Sequence, residues 1–475
     1  MTKSIFFYDL ETSGISSKAD RIMQFAGFRT DLDLNPVGEP VNQLIKLTPD
    51  VLPDPEAVLL TGITPQKTLE LGMTEHDFLK IFHGDVATAD TMFCGFNNVR
   101  FDDEFVRYLN YRNYCDPYAW QWSMGRSRWD MFDVARMCRA LRPDGIKWPD
   151  DSSGKPINRL EDLARANQLN HDSAHDALSD VLAVIGLAQL IYAKQPKLFS
   201  YLIDLMPDKT KVAKLVNAGQ PFVHTSGKYP SEYHKTTVVA ELAPHPKRQG
   251  SLVFDLRVDP STLMDKSPEQ LYEIWQTYDR DKIFPVKTLL FNRCPAVAPI
   301  SVIDESASKR IKLKMSDIEK NYKKLEAVKT ELSDKIFKAL SLLDAHQEKR
   351  YKTLDYGVDG QLYDGFFSTS DKVLMQKVSS ASADYLKTLT PSFQDNRLNG
   401  LLLPYKARNF PEILTNEEKK SWEGIRLEHL SLTKAAGTKV YFERIDELMS
   451  DKKLPKNSQK ILNELKSYSS GLVAV

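Results

Sequence analysis

Acidic residues at three distant places in the sequence constrain most strongly what this chain can fold into. The chain opens with an apolar, strand-like run at residues 4–8, which leads into Asp9 and Glu11. Side chains two residues apart on a strand point to the same face, so these two carboxylates can bind the same cations. A third acid, Asp102, follows an asparagine-containing segment, and a fourth, Asp180, precedes an apolar helical run. The fold must bring these three segments together if the acids are to act as one site.

The residue types are typical of a metal-dependent phosphodiesterase site. Two hard cations ~3.5–4 Å apart can activate a water, neutralise a phosphate and assist the leaving oxygen. Mg²⁺, with Mn²⁺ as a substitute, prefers oxygen ligands, which explains a cluster of Asp and Glu rather than Cys and His. The sequence therefore predicts that two Mg²⁺ ions bind to Asp9, Glu11, Asp102 and Asp180.

A histidine close to these acids in the sequence is a candidate general base. His175 lies five residues before Asp180, and an imidazole that titrates near neutral pH can take a proton from the attacking water. Positions five apart do not share a helix face well, so we expect His175 on a segment at the start of the helix. His171 is its competitor. Asp103 is the alternative to Asp102. The competing interpretation of Asp102, Asp103 and Glu104 is a charged helix start, because acids favour the first turn of a helix.

The three acidic segments resemble the motifs of the DEDD exonuclease superfamily, in the subgroup with a histidine five residues before the last aspartate. The chain also resembles the bacterial exodeoxyribonuclease I family at residues 61–66, 97–104, 111–113, 116–120, 127–130, 140–145, 285–287, 361–363, 365–367 and 405–411. The resemblance implies processive degradation of single-stranded DNA from 3′ to 5′, with release of 5′-mononucleotides by two-metal-ion hydrolysis, in DNA repair and recombination. It implies catalytic roles for Asp9, Glu11, Asp102, His175 and Asp180.

The character of the sequence divides the chain into three parts. Residues 1–196 are typical of an α/β domain, with strand-like runs and helical stretches such as residues 129–141 and 175–194. Residues 197–352 contain short β-rich runs followed by a helical extension, and residues 353–475 have the spacing of amphipathic helices. The resemblance implies a ribonuclease H-like exonuclease domain, an SH3-like β-barrel domain and a C-terminal helical domain, in this order.

Composition and charge exclude few classes of function. Lys and Arg together number 64, as do Asp and Glu, so nucleic-acid binding requires that the basic residues be clustered. The four cysteines show no metal-binding spacing, which is typical of free thiols in a reducing compartment. We predict a cytoplasmic protein, because the apolar start is broken at Asp9 and the longest apolar run, residues 181–193, is too short to span a bilayer.

Aromatic and basic residues alternate between residues 107 and 136 and predict a groove for a single strand. Aromatic faces stack on unpaired bases at ~1–3 kcal/mol each, and Arg contacts phosphates. Tyr118 and Trp122 lie outside clear periodicity and are candidates for stacking, with the core as the alternative, whereas the helical spacing of Trp129 favours the core. The resemblance implies substrate contacts at Glu11, Arg107, Tyr118, Trp122, Arg136, Arg159, Lys287, Asn292 and Tyr363.

The resemblance also implies a protein partner, the acidic C-terminal tail of the single-stranded-DNA-binding protein, with Arg142 and Tyr201 at the matching positions. We expect a monomer that makes no membrane contact. An exoribonuclease or a proofreading-type exonuclease with the same core is one alternative, although such chains are usually much shorter. An inactive nuclease fold that serves as a DNA-binding scaffold is another, which the intact set of acids opposes because buried like charges repel without metal.

Overall fold

A five-stranded mixed sheet is the framework of the N-terminal domain. The computed structural model describes residues 3–169, 176–277, 284–352, 356–432, 437–451 and 453–473. The strands of this sheet are β1 (Ser4–Thr12), β2 (Ile22–Thr30), β3 (Val41–Leu44), β4 (Thr91–Gly95) and β5 (Ser127–Asp130). Their order is β3-β2-β1-β4-β5, with β1 antiparallel to β2 and parallel to β4. As the central strand, β1 is buried on both faces, which explains its continuous apolar run.

Helices cover both faces of this sheet. They are α1 (Pro55–Thr61), α2 (Pro65–Leu71), α3 (Glu75–Ile81), α4 (Asp102–Arg112), α5 (Met131–Leu141), α6 (Leu160–Asn167), α7 (Ala177–Lys194), α8 (Pro196–Leu205) and α9 (Lys209–Val216). By length and composition alone, α7 is the one helix in the described ranges that could cross a membrane. It packs against β1 and β2, and Leu187, Ala188 and Ile191 are fully buried. These contacts are those of a core helix.

One predicted helix boundary is wrong. The periodicity of residues 129–141 predicts that Trp129 begins a helix, but Trp129 lies on β5 opposite Cys94 of β4. The helix α5 begins only at Met131, because the Asp130 side chain accepts a hydrogen bond from the backbone N–H of Phe132 and caps it. The prediction that Trp129 belongs to the core is confirmed, since its side chain is fully buried.

The second domain is built on an antiparallel five-stranded sheet with the order β10-β6-β7-β8-β9. Its strands are β6 (Phe222–Thr225), β7 (Thr236–Pro244), β8 (Gly250–Asp255), β9 (Val286–Leu290) and β10 (Ala296–Pro299). Four helices accompany it, namely α10 (Ser261–Met264), α11 (Pro268–Gln276), α12 (Glu305–Arg310) and the long α13 (Met315–Lys352). The sheet and α13 confirm the expected SH3-like domain with a helical extension. The sequence did not predict β10, a short strand that ends in a proline.

The third domain is helical in its described part, as predicted. Its helices are α14 (Thr369–Ser379), α15 (Ala383–Thr388), α16 (Asn396–Asn409), α17 (Asn416–Leu432), α18 (Gly437–Ser450) and α19 (Lys456–Val473). This domain packs on the first one through two apolar clusters. In one cluster Tyr111 and Tyr114 of the first domain meet Leu398 and Leu401, and in the other Leu52 meets residues of α19.

A buried ionic cluster joins the first and third domains. Asp50 accepts hydrogen bonds from Arg21 (3.3 Å) and Arg408 (2.6 Å), and it lies 3.0 Å from the His429 ring. Asp359 binds the same two arginines at 2.9 and 2.6 Å. The two guanidinium groups hold the pKa of both carboxyls below the usual range, at about 2 for Asp359. Each charge is thus balanced inside the cluster, and removal of one partner would leave an uncompensated buried charge.

We expect Asp359→Asn to lower the free energy of unfolding by about 3 kcal/mol, because two buried guanidinium groups would then share one carboxylate. Urea denaturation followed by circular dichroism measures this change. Asp384→Asn is the matched control, since Asp384 forms an exposed pair with Lys387 at 2.9 Å and such pairs contribute little. Equal stability of the two variants would show that the cluster does not anchor the domains.

Candidate active site

Three of the four predicted metal-binding acids lie together in the structure. Asp9 and Glu11 occupy the C-terminal end of β1, and Asp180 lies in the first turn of α7, which packs on that strand. One carboxylate oxygen from each lies within 4.8 Å of the other two. We refer to Asp9, Glu11 and Asp180, together with the adjacent Asp102, as the acidic cradle. A central strand and a core helix position it, so its geometry depends on the rigid part of the domain.

Asp102 lies beside this group at the first residue of α4 and is almost completely buried. Its charge is the largest Coulombic contribution that raises the pKa of Asp9, after burial itself. The neighbouring Asp103 has different contacts, because it accepts a hydrogen bond from the Tyr8 hydroxyl (2.5 Å) and forms an ion pair with Arg128. Of the two alternatives, Asp103 is neutralised within the core, whereas Asp102 interacts with the other acids of the cradle.

The electrostatics of the cradle fit a divalent cation. Burial, followed by the charges of Asp180 and Asp102, raises the pKa of Glu11 to about 8. Burial likewise raises the pKa of Asp102 to about 8 and holds that of Asp9 well above its usual range. Buried carboxylates that repel one another are stabilised when a cation lies between them. The ligands on offer are carboxylate oxygens, which hard ions such as Mg²⁺ prefer.

Asp176 is an acid near the cradle that sequence reasoning missed. Its charge raises the pKa of both Asp9 and Glu11, although it makes no ligand in the three-acid group. It caps α7 by accepting a hydrogen bond from the Ser179 backbone N–H (3.2 Å), and Gln24 Nε2 donates to its other oxygen (3.3 Å). An acid just before an apolar helix is a recognisable N-cap signal, and this signal could have identified it.

The two candidate general bases cannot be compared in the structure. His175 and its competitor His171 both lie outside the described residues, in the interval between residues 169 and 176. The described chain resumes at Asp176, whose charge raises the pKa of Glu11 and whose side chain caps α7.

Glu104, on α4, is the point where the three domains meet. Its carboxylate accepts hydrogen bonds from Arg107 of the same helix (2.6 Å), from Arg293 of the second domain (3.0 Å) and from the Tyr363 hydroxyl of the third domain. Arg107 is buried, and its guanidinium group also binds Gln121 (2.7 Å). Because α4 begins with Asp102, this junction is on the same helix as one acid of the cradle.

Aromatic side chains extend from this junction into solvent. Trp122 is 67% exposed, Tyr363 51% and Phe366 89%. The Tyr118 ring lies 6.3 Å from the Tyr363 ring and 6.1 Å from the Phe366 ring, with the Arg107 guanidinium 5.9 Å from its centre. Exposed aromatics next to arginine are the elements of a base-stacking surface. Sequence reasoning missed Phe366, although its neighbour Tyr363 was predicted, because nothing in the sequence shows that the third domain reaches Tyr118.

The other predicted contact residues have varied surroundings. Arg136 is buried on α5, bound to Asp133 at 2.7 Å, and Arg159 is exposed at the start of α6, bound to Asp162 at 2.9 Å. On the second domain, burial and the neighbouring Lys228 lower the pKa of Lys287 to about 8.

Asn292 contacts the first domain, because its backbone carbonyl accepts a hydrogen bond from Arg128 of β5 (2.7 Å). The residues predicted for a protein partner lie apart from this junction. Arg142, at the end of α5, donates to the backbone carbonyl of Val302 (2.9 Å) and lies 3.2 Å from Asp304. The Tyr201 hydroxyl on α8 is buried and has no hydrogen-bond partner among the residues described.

Family models match most of the chain. The model for an exonuclease domain matches residues 6–188, that for the exonuclease I SH3-like domain residues 207–341, and that for the exonuclease I C-terminal domain residues 356–472. The chain is 37% identical to exodeoxyribonuclease I of Haemophilus influenzae over 99% of this chain and 98% of the relative. It is 38% identical to exodeoxyribonuclease I of Escherichia coli over 90% of this chain and 89% of the relative.

Solved structures give the same result. Exonuclease I from Methylocaldum szegediense matches with a TM-score of 0.91 and 39% identity, covering 99% of this chain and all of that one. The zinc-bound complex of E. coli exonuclease I with single-stranded DNA matches at 0.91 and 35%, with both chains fully covered. A complex of exonuclease I with SSB and an inhibitor matches at 0.89 and 35%, again over both full lengths. With similarity of this extent in all three domains, the chain belongs to the exonuclease I family of nucleases.

Proposed function

We propose that this chain hydrolyses single-stranded DNA from its 3′ end and releases 5′-mononucleotides processively, with two Mg²⁺ ions bound in the acidic cradle and Mn²⁺ as a substitute. As a member of its family the enzyme depends on a divalent metal. The observation that carries the proposal is the approach of Asp9, Glu11 and Asp180 to within 4.8 Å of one another at the end of a buried strand. Clustered carboxylates with raised pKa values are suited to bind divalent cations.

Each acid has a role in this proposal. Asp9 and Asp180 would hold the cations from the central strand and from α7, Asp102 would hold them from the start of α4, and Glu11 would also contact the 3′-terminal nucleotide. Divalent cations held there would supply a nucleophilic water and neutralise charge on the phosphodiester. The reaction class is phosphodiester hydrolysis at a positioned strand end.

His175 is the proposed general base. Its imidazole takes the proton from the attacking water, which requires the neutral form of the ring near the working pH. It directly precedes Asp176, whose side chain caps α7 and thereby fixes where the helix starts.

We propose that the strand approaches along the surface formed at the junction of the three domains. Tyr118 and Trp122 stack on unpaired bases, and Arg107, Arg136 and Arg159 contact the phosphates, with Arg159 at the terminal nucleotide. Lys287 and Asn292 contribute from the second domain and Tyr363 from the third. A related exonuclease I has been solved with single-stranded DNA, which supports this substrate class.

The alternative functions are not favoured. A proofreading or RNA-trimming exonuclease would share only the first domain, whereas the relatives named exodeoxyribonuclease I match this chain over nearly its full length. A DNA-binding scaffold would have no use for carboxylates whose burial and mutual repulsion raise the pKa of Glu11 to about 8. The intact cradle therefore supports the enzyme.

We also propose that Arg142 and Tyr201 bind the acidic C-terminal tail of the single-stranded-DNA-binding protein. Support comes from the related exonuclease I solved with SSB. Arg142 already forms a 3.2 Å pair with Asp304, an exposed acid that a carboxylate of the tail could replace. The enzyme is further proposed to act as a cytoplasmic monomer in DNA repair and recombination. Its four cysteines are all free thiols, which suits a reducing compartment.

Asp180→Asn and His175→Ala test the catalytic assignment. We expect His175→Ala to slow nucleotide release by about 10²–10⁴-fold because the general base is lost, and Asp180→Asn to be at least as damaging. Release from 3′-labelled single-stranded DNA in Mg²⁺ measures the rate, and a metal-free gel shift shows that the strand still binds. Asp204→Asn, in an exposed pair with Lys211 at 2.5 Å, is the control. Near-normal turnover by either catalytic variant would remove that residue from the mechanism.

The stability of the metal-free enzyme should fall as pH rises. The pKa of Glu11 rises from 4.5 in the unfolded chain to about 8 when folded, and that of Asp102 from 3.8 to about 8. The folded state therefore holds more protons across that window, so the free energy of unfolding decreases as pH increases through it. We expect Glu11→Gln to raise Tm in EDTA at pH 8 by about 2 °C, and to reduce the stabilisation by Mg²⁺.

Thermal unfolding in EDTA and in Mg²⁺, at a low and a high pH, measures both effects. Glu39→Gln, at an exposed position, is the control and should follow the wild-type curve. A Glu11→Gln protein that is less stable than the wild type in EDTA at pH 8 would contradict the repulsion described for the cradle.

Trp122→Ala tests the stacking surface. We expect it to weaken binding of a single strand by about 1–3 kcal/mol through the loss of one base–aromatic contact. Fluorescence anisotropy of a labelled oligonucleotide, in EDTA so that no cleavage occurs, gives the affinity. Met124→Ala is a matched control, because Met124 has the same 67% exposure in the same loop. An equal effect of both substitutions would show that Trp122 has no special contact with the strand.

A further inference from the structure

A cavity of about 360 Å³ lies between the first and third domains, away from the acidic cradle. Residues 46–49, which follow β3, line one side together with Leu69 of α2 and the start of α3. The C-terminal end of α16 and the first turns of α17 line the other side. None of the four cradle acids is among the lining residues. The volume is within the range of small-molecule sites, about 300–1,000 Å³.

Two buried polar groups on the wall of this cavity have no hydrogen-bond partner among the residues described. One is the Thr48 hydroxyl and the other is Arg408 Nε, on residues that are 5% and 8% exposed respectively. Both terminal nitrogens of Arg408 bind Asp50 or Asp359, whereas its Nε has no partner in the described part of the chain. A buried donor without an acceptor is destabilising, and both donors line the same cavity.

The cavity also has an excess of positive charge. Of its lining acids, Glu75 binds Arg112 (3.2 Å) and Glu423 binds Arg426 (2.8 Å), so both are neutralised by residues outside the cavity. Lys46 and Lys419 also line it. Within the described part of the chain neither lysine forms an ion pair. The cavity therefore presents two uncompensated ammonium groups and two unpaired donors, which together favour an anion.

Much of the remaining lining is apolar. Leu47, Leu414 and the indole of Trp422 are buried at the cavity wall, and the Arg408 guanidinium lies 5.6 Å from the centre of the Trp422 ring. A flat ligand that reaches this wall would lie on the indole and the guanidinium, which both accept stacking partners. The ligand that fits this cavity therefore has an anionic end and a flat apolar body.

We propose that this cavity is a second binding site, separate from the cradle, for a small anion with a flat apolar body, and that its ligand is a nucleoside 5′-monophosphate. The phosphate accepts hydrogen bonds from Lys46, Lys419, Thr48 and Arg408 Nε, and the base lies against Trp422. The anion site follows from the cavity itself, whereas the choice of nucleotide rests on the proposed function, because nucleoside 5′-monophosphates are the products of that reaction.

Isothermal titration of the full chain with deoxyadenosine 5′-monophosphate, in EDTA to keep metal out of the cradle, tests this proposal. We expect Thr48→Val to weaken binding about tenfold, since it removes a hydrogen bond to a charged group. The same change should leave Tm equal or higher, because it removes an unpaired buried hydroxyl. The double variant Lys46→Gln/Lys419→Gln should weaken binding at least as much, and the exposed Lys420→Gln, which does not line the cavity, should not.

Two further ligands test the phosphate contacts and the apolar contacts of the site separately. Deoxyadenosine lacks the phosphate and inorganic phosphate lacks the apolar body, so each should bind at least about tenfold more weakly than the nucleotide. Equal affinity of the wild type, Thr48→Val and the double lysine variant would overturn the proposal, and so would the absence of nucleotide binding. Release from 3′-labelled single-stranded DNA is measured separately. Its failure would overturn the proposed function, while activity without nucleotide binding would overturn only this second site.

Discussion

The mutual repulsion of buried carboxylates is the interaction on which the rest of this structure depends. Burial is the first cause of the raised pKa of Asp9, Glu11 and Asp102, and the neighbouring acids add to it. Such a cluster persists only where rigid elements hold it, and here β1 is buried on both faces and α7 is a core helix. The fold therefore keeps together groups that would separate if they were free, and a divalent cation removes the cost of doing so.

The second and third domains both contact α4 of the first domain, and the second domain also contacts β5. Glu104 binds Arg293 from the second domain at 3.0 Å and the Tyr363 hydroxyl from the third. The ionic cluster of Asp50 and Asp359 with two arginines fixes the third domain at a separate place. Because the charges of this cluster are buried and paired, the position of the third domain on the first is specific. A strand that follows this junction would meet side chains from all three domains before it reaches the cradle.

Prediction from sequence succeeded where a set of residues has few explanations. It failed where the folded environment decides the secondary structure or the exposure of a residue. The pair Asp9 and Glu11 was predicted because it occurs together with Asp102, His175 and Asp180 in a set order and spacing, whereas such a pair alone occurs often by chance. Trp129 was assigned to a helix because apolar spacing over a few residues does not separate a strand end from a helix start. Phe366 was missed because exposure is a property of the folded surface, and a phenylalanine in a sequence is typical of a core residue.

The sequence by itself determined the chemistry and the order of the domains. Three features were visible without coordinates. They are four acids at set spacings, an α/β pattern followed by β-rich and then helical segments, and a family resemblance along most of the chain. Only the tertiary structure showed that Asp103 pairs with Tyr8 and Arg128, added Asp176 to the surroundings of the cradle, and placed Phe366 beside Tyr118. The physical reason is that a side chain's charge state and exposure depend on neighbours that are distant in sequence, and those neighbours are fixed only when the domains pack.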